Sequence, residues 1–431
     1  MNLTLILTFL AGYLIIIFEH KLQINKTATA LFTGIICWVI LAINQNGVAG
    51  PDAVFSPTNY HTLEALSHHL AGISEILFFL LGAMTIVEVI DSHNGFRILT
   101  DRINATNLIS LIWVVASLTF FLSAVLDNLT TTIVMVSLCK KLVRQLNPRL
   151  YLISLVVIAA NAGGAWSPIG DVTSTMLWVN GNVTAQSLIF KLFIPSLLNA
   201  LIPLILVSIF LKNEKIEPMR AHPKVEKVEG ETLILIFGLG GLIMVPFFKT
   251  YTHLPPYMGV LLALSILWAS TEWIHRSKAA DVKSLFTPSH ALSKIDTPSI
   301  LFFLGILLAV SALETGEILK SFSISLSRWI ENKDLMVFLI GLASAVVDNV
   351  PLVAASISMY GLNEFPQDHS FWIFLTYAAG TGGSILIIGS APGVAAMGME
   401  KIDFIWYAKR ISLLAFSGYL GGSAWYLLVS W

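Results

Sequence analysis

Apolar residues in this chain gather in long stretches, broken by short polar or Pro/Gly punctuation rather than by a regular polar face. A stretch of about 20 apolar residues crosses a bilayer as a helix, and a run of this length is not needed in a water-soluble core. Reading the runs against their breakers predicts helices over 2–18, 27–43, 74–91, 151–178, 188–211, 232–248, 257–274, 299–319, 371–397 and 405–429. Two further stretches, 108–142 and 335–362, carry a polar break in the middle, at Asp127-Asn128 and Asp348-Asn349-Val350-Pro351. The second arm of each, 129–139 and 352–360, is short for a crossing, so both read as re-entrant hairpins. Irregular backbone at that depth is tolerated where it is buried in protein or lines a cavity.

Composition agrees with the pattern: 56% of residues are hydrophobic and 12% charged, where a soluble domain carries about 25%. The net charge of -1 points away from nucleic acid. Cys37 and Cys139 sit in or beside apolar runs and make no disulfide framework. The N-terminus lacks a positive leader, so the first helix is expected to be retained. With ten spans and two hairpins, 20 of the 25 lysines and arginines fall on one side, which makes that side cytoplasmic and places both termini outside.

The two halves repeat one another. Leu77-Phe78-Phe79-Leu80 returns as Leu301-Phe302-Phe303-Leu304, and Ser123-Ala124-Val125-Leu126-Asp127-Asn128 as Ser344-Ala345-Val346-Val347-Asp348-Asn349. Gly163-Gly164 with Gly170 returns as Gly382-Gly383 with Gly389, and all three motifs keep their order at a separation of about 220 residues. The expected fold is therefore an all-α polytopic membrane protein with two inverted-topology repeats. Each repeat has three helices, a re-entrant hairpin, an interrupted helix and a final helix. The boundaries are 1–211 and 232–431, with 212–231 as a cytoplasmic linker. Five crossings per half is an odd number, which inverts the second copy.

Such repeats hold their substrate at the midplane, between broken helices. The breaks here are the two hairpin tips, Asp127 to Thr132 (including Thr130 and Thr131) and Asp348 to Pro351. The other two are the interrupted spans Asn161 to Asp171 and Gly380 to Ser384. Glycine dihedral freedom and the missing donor of Pro168 are expected to release carbonyls there, and with carboxylates they would form an oxygen cage for a small cation. A carboxylate at the bilayer centre costs ~2.5–3.5 kcal/mol even on the lenient scale. Asp127, Asp171 and Asp348 have no lysine or arginine within their segments except the flanking Lys140 and Lys141. Each must be neutralised by a proton or by a bound cation, which suits exchange of one for the other. A purely structural, hydrogen-bonding aspartate is the competing reading, weakened by the duplication of the Asp-Asn pair. Asp171 has Ser390 as its repeat partner. Glu88, Asp91 and Glu314 lie near span ends, where snorkelling to water competes with a site role. His93 reads as a loop histidine ahead of a pH sensor. The Phe- and Trp-rich stripes read as lipid-facing.

The Ser-Ala-Val-x-Asp-Asn pair, Ala160-Asn161-Ala162-Gly163-Gly164-Ala165 and Gly380-Thr381-Gly382-Gly383-Ser384 together resemble the NhaD-type sodium/proton antiporters. That family belongs to the ion transporter superfamily, with arsenite permeases and divalent-anion/sodium symporters. The likeness covers almost the whole chain. It implies Na+ or Li+ exchange for protons across a bacterial cytoplasmic membrane, no cofactor, and a homodimer set in lipid with a scaffold and a moving region. It makes Asp127, Asn128, Asp348 and Asn349 tip ligands, with Asn161, Ser167, Asp171, Thr381, Ser384 and Ser390 lining the interrupted spans. The anion-carrying relatives have a Ser-Asn-Thr pattern at these tips, and two carboxylates would repel a dicarboxylate; neutral arsenite is not excluded by charge. An intramembrane aspartyl protease, the third alternative, needs a Gly-x-Gly-Asp motif that the chain lacks.

Overall fold

A bilayer offers no water to the backbone, so each segment must pair its own N–H and C=O groups, and all the regular elements among the described residues are helices. The computed structural model describes residues 2–17, 19–46, 57–96, 107–212, 228–278 and 286–429. Most of the expected linker, 213–227, and the charged positions Arg97, Arg102 and Lys283 lie outside these.

Among the described residues, eight helices contain a stretch long and apolar enough to cross a membrane. They are α3 (Lys26–Asn46), α4 (Pro57–Ser92), α7 (Leu146–Ala165), α9 (Ala185–Phe210), α10 (Glu231–Thr252), α11 (Pro256–Ile274), α13 (Thr297–Thr315) and α20 (Ser412–Val429). Two of the ten expected spans do not reach that length as single helices. The first, α1 (Asn2–Ile17), has 16 residues, and 371–397 is divided into α17 (Ser370–Gly382) and α18 (Ala391–Glu400). The span expected over 151–178 divides likewise into α7 and α8 (Val172–Val179). α4 starts well before residue 74, because Leu63, Leu66 and Leu70 continue a helical apolar spacing with no breaker. The span expected over 299–319 ends at Thr315, and after Gly316 a separate amphipathic helix, α14 (Ile318–Trp329), follows. Short α2 (Glu19–Leu22), α12 (Pro288–Lys294) and α19 (Phe404–Arg410) complete the connections.

The two polar-broken stretches fold as helical pairs: α5 (Leu108–Ser123) with α6 (Asn128–Leu142), and α15 (Lys333–Ala343) with α16 (Asn349–Met359). Their arms have 16, 15, 11 and 11 residues, all short of a full crossing. The tips are tighter than expected. Thr130 and Thr131 already belong to the first turn of α6, and Val350 and Pro351 to that of α16, where a proline costs no hydrogen bond.

The glycines of the interrupted spans serve a different purpose from the one expected. Gly163 and Gly164 lie inside α7 and Gly382 inside α17, and the only positive-φ glycines among the described residues are Gly181 and Gly230. What the repeated glycines supply is space. A Cβ on Gly163 would stand 2.1 Å from the Phe120 carbonyl oxygen, and one on Gly382 2.0 Å from that of Gly341. Ser123 donates to the Ala160 carbonyl and Ser344 to the Ala379 carbonyl, so the first hairpin arm docks on the interrupted helix identically in both halves.

The helices form two bodies. α13 lies along α3 and touches α4, which packs on α10, α11 and α12; α1 lies on α3. The other body joins both hairpins, both interrupted helices, α9 and α20, with α17 on α7 and α18 on α6. The bodies meet chiefly where α16 packs on α13 and α14 and where α8 packs on α4. The faces away from these contacts carry exposed Phe190, Phe210, Phe247 and Trp273, as a lipid-facing surface requires. Not every aromatic faces outward, however: Trp372, Phe371 and Phe374 are fully buried.

Candidate functional site

Four helices begin inside the protein, at the breaks: α6, α8, α16 and α18. A helix start leaves backbone N–H groups unpaired, and a short polar side chain at the N-cap accepts from them. Three of the four caps are the aspartates. Asp127 accepts from the Thr130 amide at 2.8 Å and from the Thr130 hydroxyl; Asp348 accepts from the Val350 amide at 3.1 Å. Asp171 accepts from the Thr173 amide at 3.4 Å and from its hydroxyl at 2.9 Å. The fourth cap is Ser390, which accepts from the Gly393 amide at 3.4 Å. The repeat therefore holds at the level of structural role, with serine in the place of Asp171.

Amide side chains tie these caps together across the two halves. Asn128 donates to Asn161 at 3.0 Å, and Asn161 donates to Ser384 and Ser390, each at 2.8 Å. Asn349 donates to Asp171 at 3.4 Å. All of these residues are buried. Each tip is thus tied to an interrupted span, and the aspartates of the two tips line separate cavities. Asp127 and Asp171 line a cavity of about 20 Å³ against Phe79, Leu80, Ala83 and Val87 of α4. That is room for roughly one water-sized sphere. Asp348 lines a second cavity, of about 60 Å³, with Tyr13, Phe302 and Ile306.

The remaining expected residues divide. Ser167 is buried and donates to the Ala124 carbonyl, so it pins the tip of the first hairpin. Thr381 spends its hydroxyl on the Tyr377 carbonyl one turn back, at 2.6 Å. Thr131 is buried with no hydrogen-bond partner for its hydroxyl, which leaves it available to a ligand. Glu88 stands 3.9 Å from Lys294, and Glu314 lies one residue from Thr315, whose hydroxyl is 3.3 Å from His69; neither glutamate lines either cavity. His93 lies in the turn after α4, as a loop histidine would, but it is fully buried, its Nε2 3.0 Å from that of His275.

Sequence reasoning missed two participants. Thr173 clamps Asp171, and the Asp-x-Thr spacing at a helix start could have signalled it. Lys26, at the start of α3, lines the same cavity as Asp348 and lies within its electrostatic reach, so that aspartate does have a cation near it. Nothing local in the sequence marks that pairing. Lys140, one of the two flanking lysines, turns instead to the Met399 carbonyl, at 2.7 Å, and to Glu400, at 3.6 Å.

Residues 13–363 match the CitMHS family, described as "Citrate transporter". The chain is 47% identical to "Sodium/proton antiporter 1" of Arabidopsis thaliana, over 99% of this chain and 72% of that protein. It is 45% identical to "Sodium/proton antiporter 2" of the same plant, over 98% of each. With "Na(+)/H(+) antiporter NhaD" of Vibrio cholerae it shares 30% identity over 99% of this chain and 91% of the relative. Among solved structures, the YdaH transporter of Alcanivorax borkumensis superposes with a TM-score of 0.61 at 13% identity, covering 94% and 98% of the two chains. That likeness concerns the fold alone.

Proposed function

Because the chain belongs to the citrate-transporter family of membrane carriers and to the sodium/proton antiporters that include NhaD, we propose that it exchanges Na+ or Li+ for protons by alternating access. The observation that carries this reading is the identity of the caps. An open helix N-terminus inside a membrane attracts anions, through its free N–H groups and its dipole. Here Asp127, Asp171 and Asp348 occupy three such ends and turn each into a place for a cation or a proton. A citrate-sized anion would meet carboxylates instead of amides.

In this reading Asp127, Asp171 and Asp348 carry the exchanged charge as a coupled group. Asn128, Asn349, Asn161, Ser384 and Ser390 hold them in register, and Thr131 supplies an oxygen. A sodium ion or protons neutralise the carboxyls, and the hairpin-bearing body then moves against the scaffold. The unneutralised body stays put, because a bare carboxylate is costly at that depth. The two repeats lie inverted, with the boundary near 212–231, and both termini lie opposite the lysine-rich face. The protein works as a homodimer in an energised membrane; its named relatives come from bacteria and from a plant. Those relatives are transporters by name, which sets the protease reading aside.

Vesicles reconstituted with the purified protein and a pH dye test the proposal. Added Na+ or Li+ should release protons, and Asp127→Asn or Asp348→Asn should abolish the release. Normal transport by both variants would refute the site. Sodium-driven citrate uptake in the same vesicles, without proton release, would replace the antiport reading with that of an anion carrier.

A further inference from the structure

We propose that Lys26 is a tethered counter-cation for Asp348, occupying the charge position that Na+ takes when the site loads from the face Lys26 guards. The inference rests on the antiport reading above. Four observations meet at this point. Lys26 and Asp348 line one cavity, of about 60 Å³. The two charges lie within electrostatic reach of each other. The ammonium sits 4.9 Å from the centroid of the Phe302 ring, where a cation–π contact holds it at the lip without satisfying its three donors. The base of the lysine is fixed, because its own backbone amide donates to Glu19 at 3.1 Å and the Thr27 hydroxyl donates to the Pro298 carbonyl at 2.9 Å. A long flexible side chain on a fixed anchor thus lines the same cavity as an aspartate that caps a helix start.

Lys249 shows what a lysine over an aromatic ring looks like when it also has a hydrogen-bond partner. Lys249 lies in the last turn of α10, whereas Lys26 opens α3. It donates to the carbonyl of Trp178 near the end of α8 at 2.6 Å, and its ammonium lies 4.8 Å from the centroid of that indole. Lys249 does not line the Asp127–Asp171 cavity, whereas Lys26 lines that of Asp348. An ammonium in the cavity of Asp348 lowers the cost of the empty, unprotonated site, and its field must be overcome before a sodium ion is held there.

The test is the Michaelis constant for Na+ measured separately at each membrane face, in vesicles of known orientation. Lys26→Gln should lower the KM at the lysine-guarded face by about tenfold, the size expected for removing a nearby like charge, and leave the opposite face unchanged. Lys26→Arg should stay near the parent value. Lys26→Cys should behave like Lys26→Gln, and return toward the parent when an aminoethyl thiol reagent restores the ammonium; Cys37 and Cys139 are buried from the reagent. An unchanged or raised KM, an equal fall at both faces, or no effect of the restored charge would each overturn the proposal. The parent protein separates this from the antiport reading: vesicles that release no protons on Na+ addition refute that reading, whereas active vesicles with an insensitive Lys26 refute only the lysine's role.

Discussion

Single residues here act through space as much as through chemistry. The aspartates are caps first and charged groups second: each accepts from a backbone amide, Asp127 and Asp171 accept from a threonine hydroxyl as well, and all three line a cavity. Glycines set how near the hairpins lie. Gly163→Ala and Gly382→Ala place a methyl against a backbone carbonyl that no rotamer change can clear. Each should cost about 3 kcal/mol and lower the melting temperature in detergent. Gly240→Ala, at a position with nothing within 4 Å, should leave it unchanged. The requirement for glycine was legible from the repeat, but the reason was not. Sequence suggested unusual dihedrals, and the contact that decides the matter lies about 40 residues away along the chain.

Whole elements are fastened at their ends by polar pairs that sequence alone does not join. Arg149 at the start of α7 reaches Glu400 at the end of α18, and Arg149 also donates to the Val143 and Arg144 carbonyls. The Glu400 side chain is 3% exposed, so its removal leaves a half-buried guanidinium short of its charge partner. Glu400→Ala should destabilise the protein by about 3 kcal/mol, with Glu400→Gln in between, as read by thermal denaturation. A second fastening joins the end of α4 to the end of α11. His93 Nδ1 donates to the Val89 carbonyl at 2.7 Å, so its Nε2 must accept from His275, and His275 Nδ1 is left buried without a partner. Burial pushes His93 down to about 4, and lowers His275 as well. Both are therefore held neutral in the folded protein. The stability this contributes is complete above the ordinary histidine range near 6.5 and is lost as pH falls toward 4. Melting temperature should decline across that window, and His93→Gln should flatten the decline.

The molecule as a whole divides into a body that holds the caps and a body that walls the cavities. The Asp127–Asp171 cavity is lined by Ala83 of the body built on α3 and α4 and by Val172 of the hairpin-bearing body. If these bodies move past each other, tying them together must stop transport. Ala83→Cys with Val172→Cys, bridged by mercury or a short bifunctional thiol reagent, should lose sodium-dependent proton release and recover it on reduction. Each single cysteine under the same treatment serves as the control, and a bridged double variant that still transports would show that this boundary does not move.

What the sequence determined by itself is whatever depends on composition and local order. A bilayer forces apolar runs into helices, a duplicated Asp-Asn break in such a run marks a helix start, and a carboxyl at that depth demands neutralisation. The helices, the paired helices around each break and the three aspartates follow from those rules, while the resemblance to the antiporters rested on the motifs themselves. The tertiary structure alone decided which groups meet, Asn161 with Ser384 and Ser390, Asn349 with Asp171, and His93 with His275, and that Lys26 and Asp348 line one cavity. Each of these pairs is separated along the chain by most of one repeat or more. Hydrophobic patterning is blind to them, because it records how much of each helix is buried and not which neighbour does the burying.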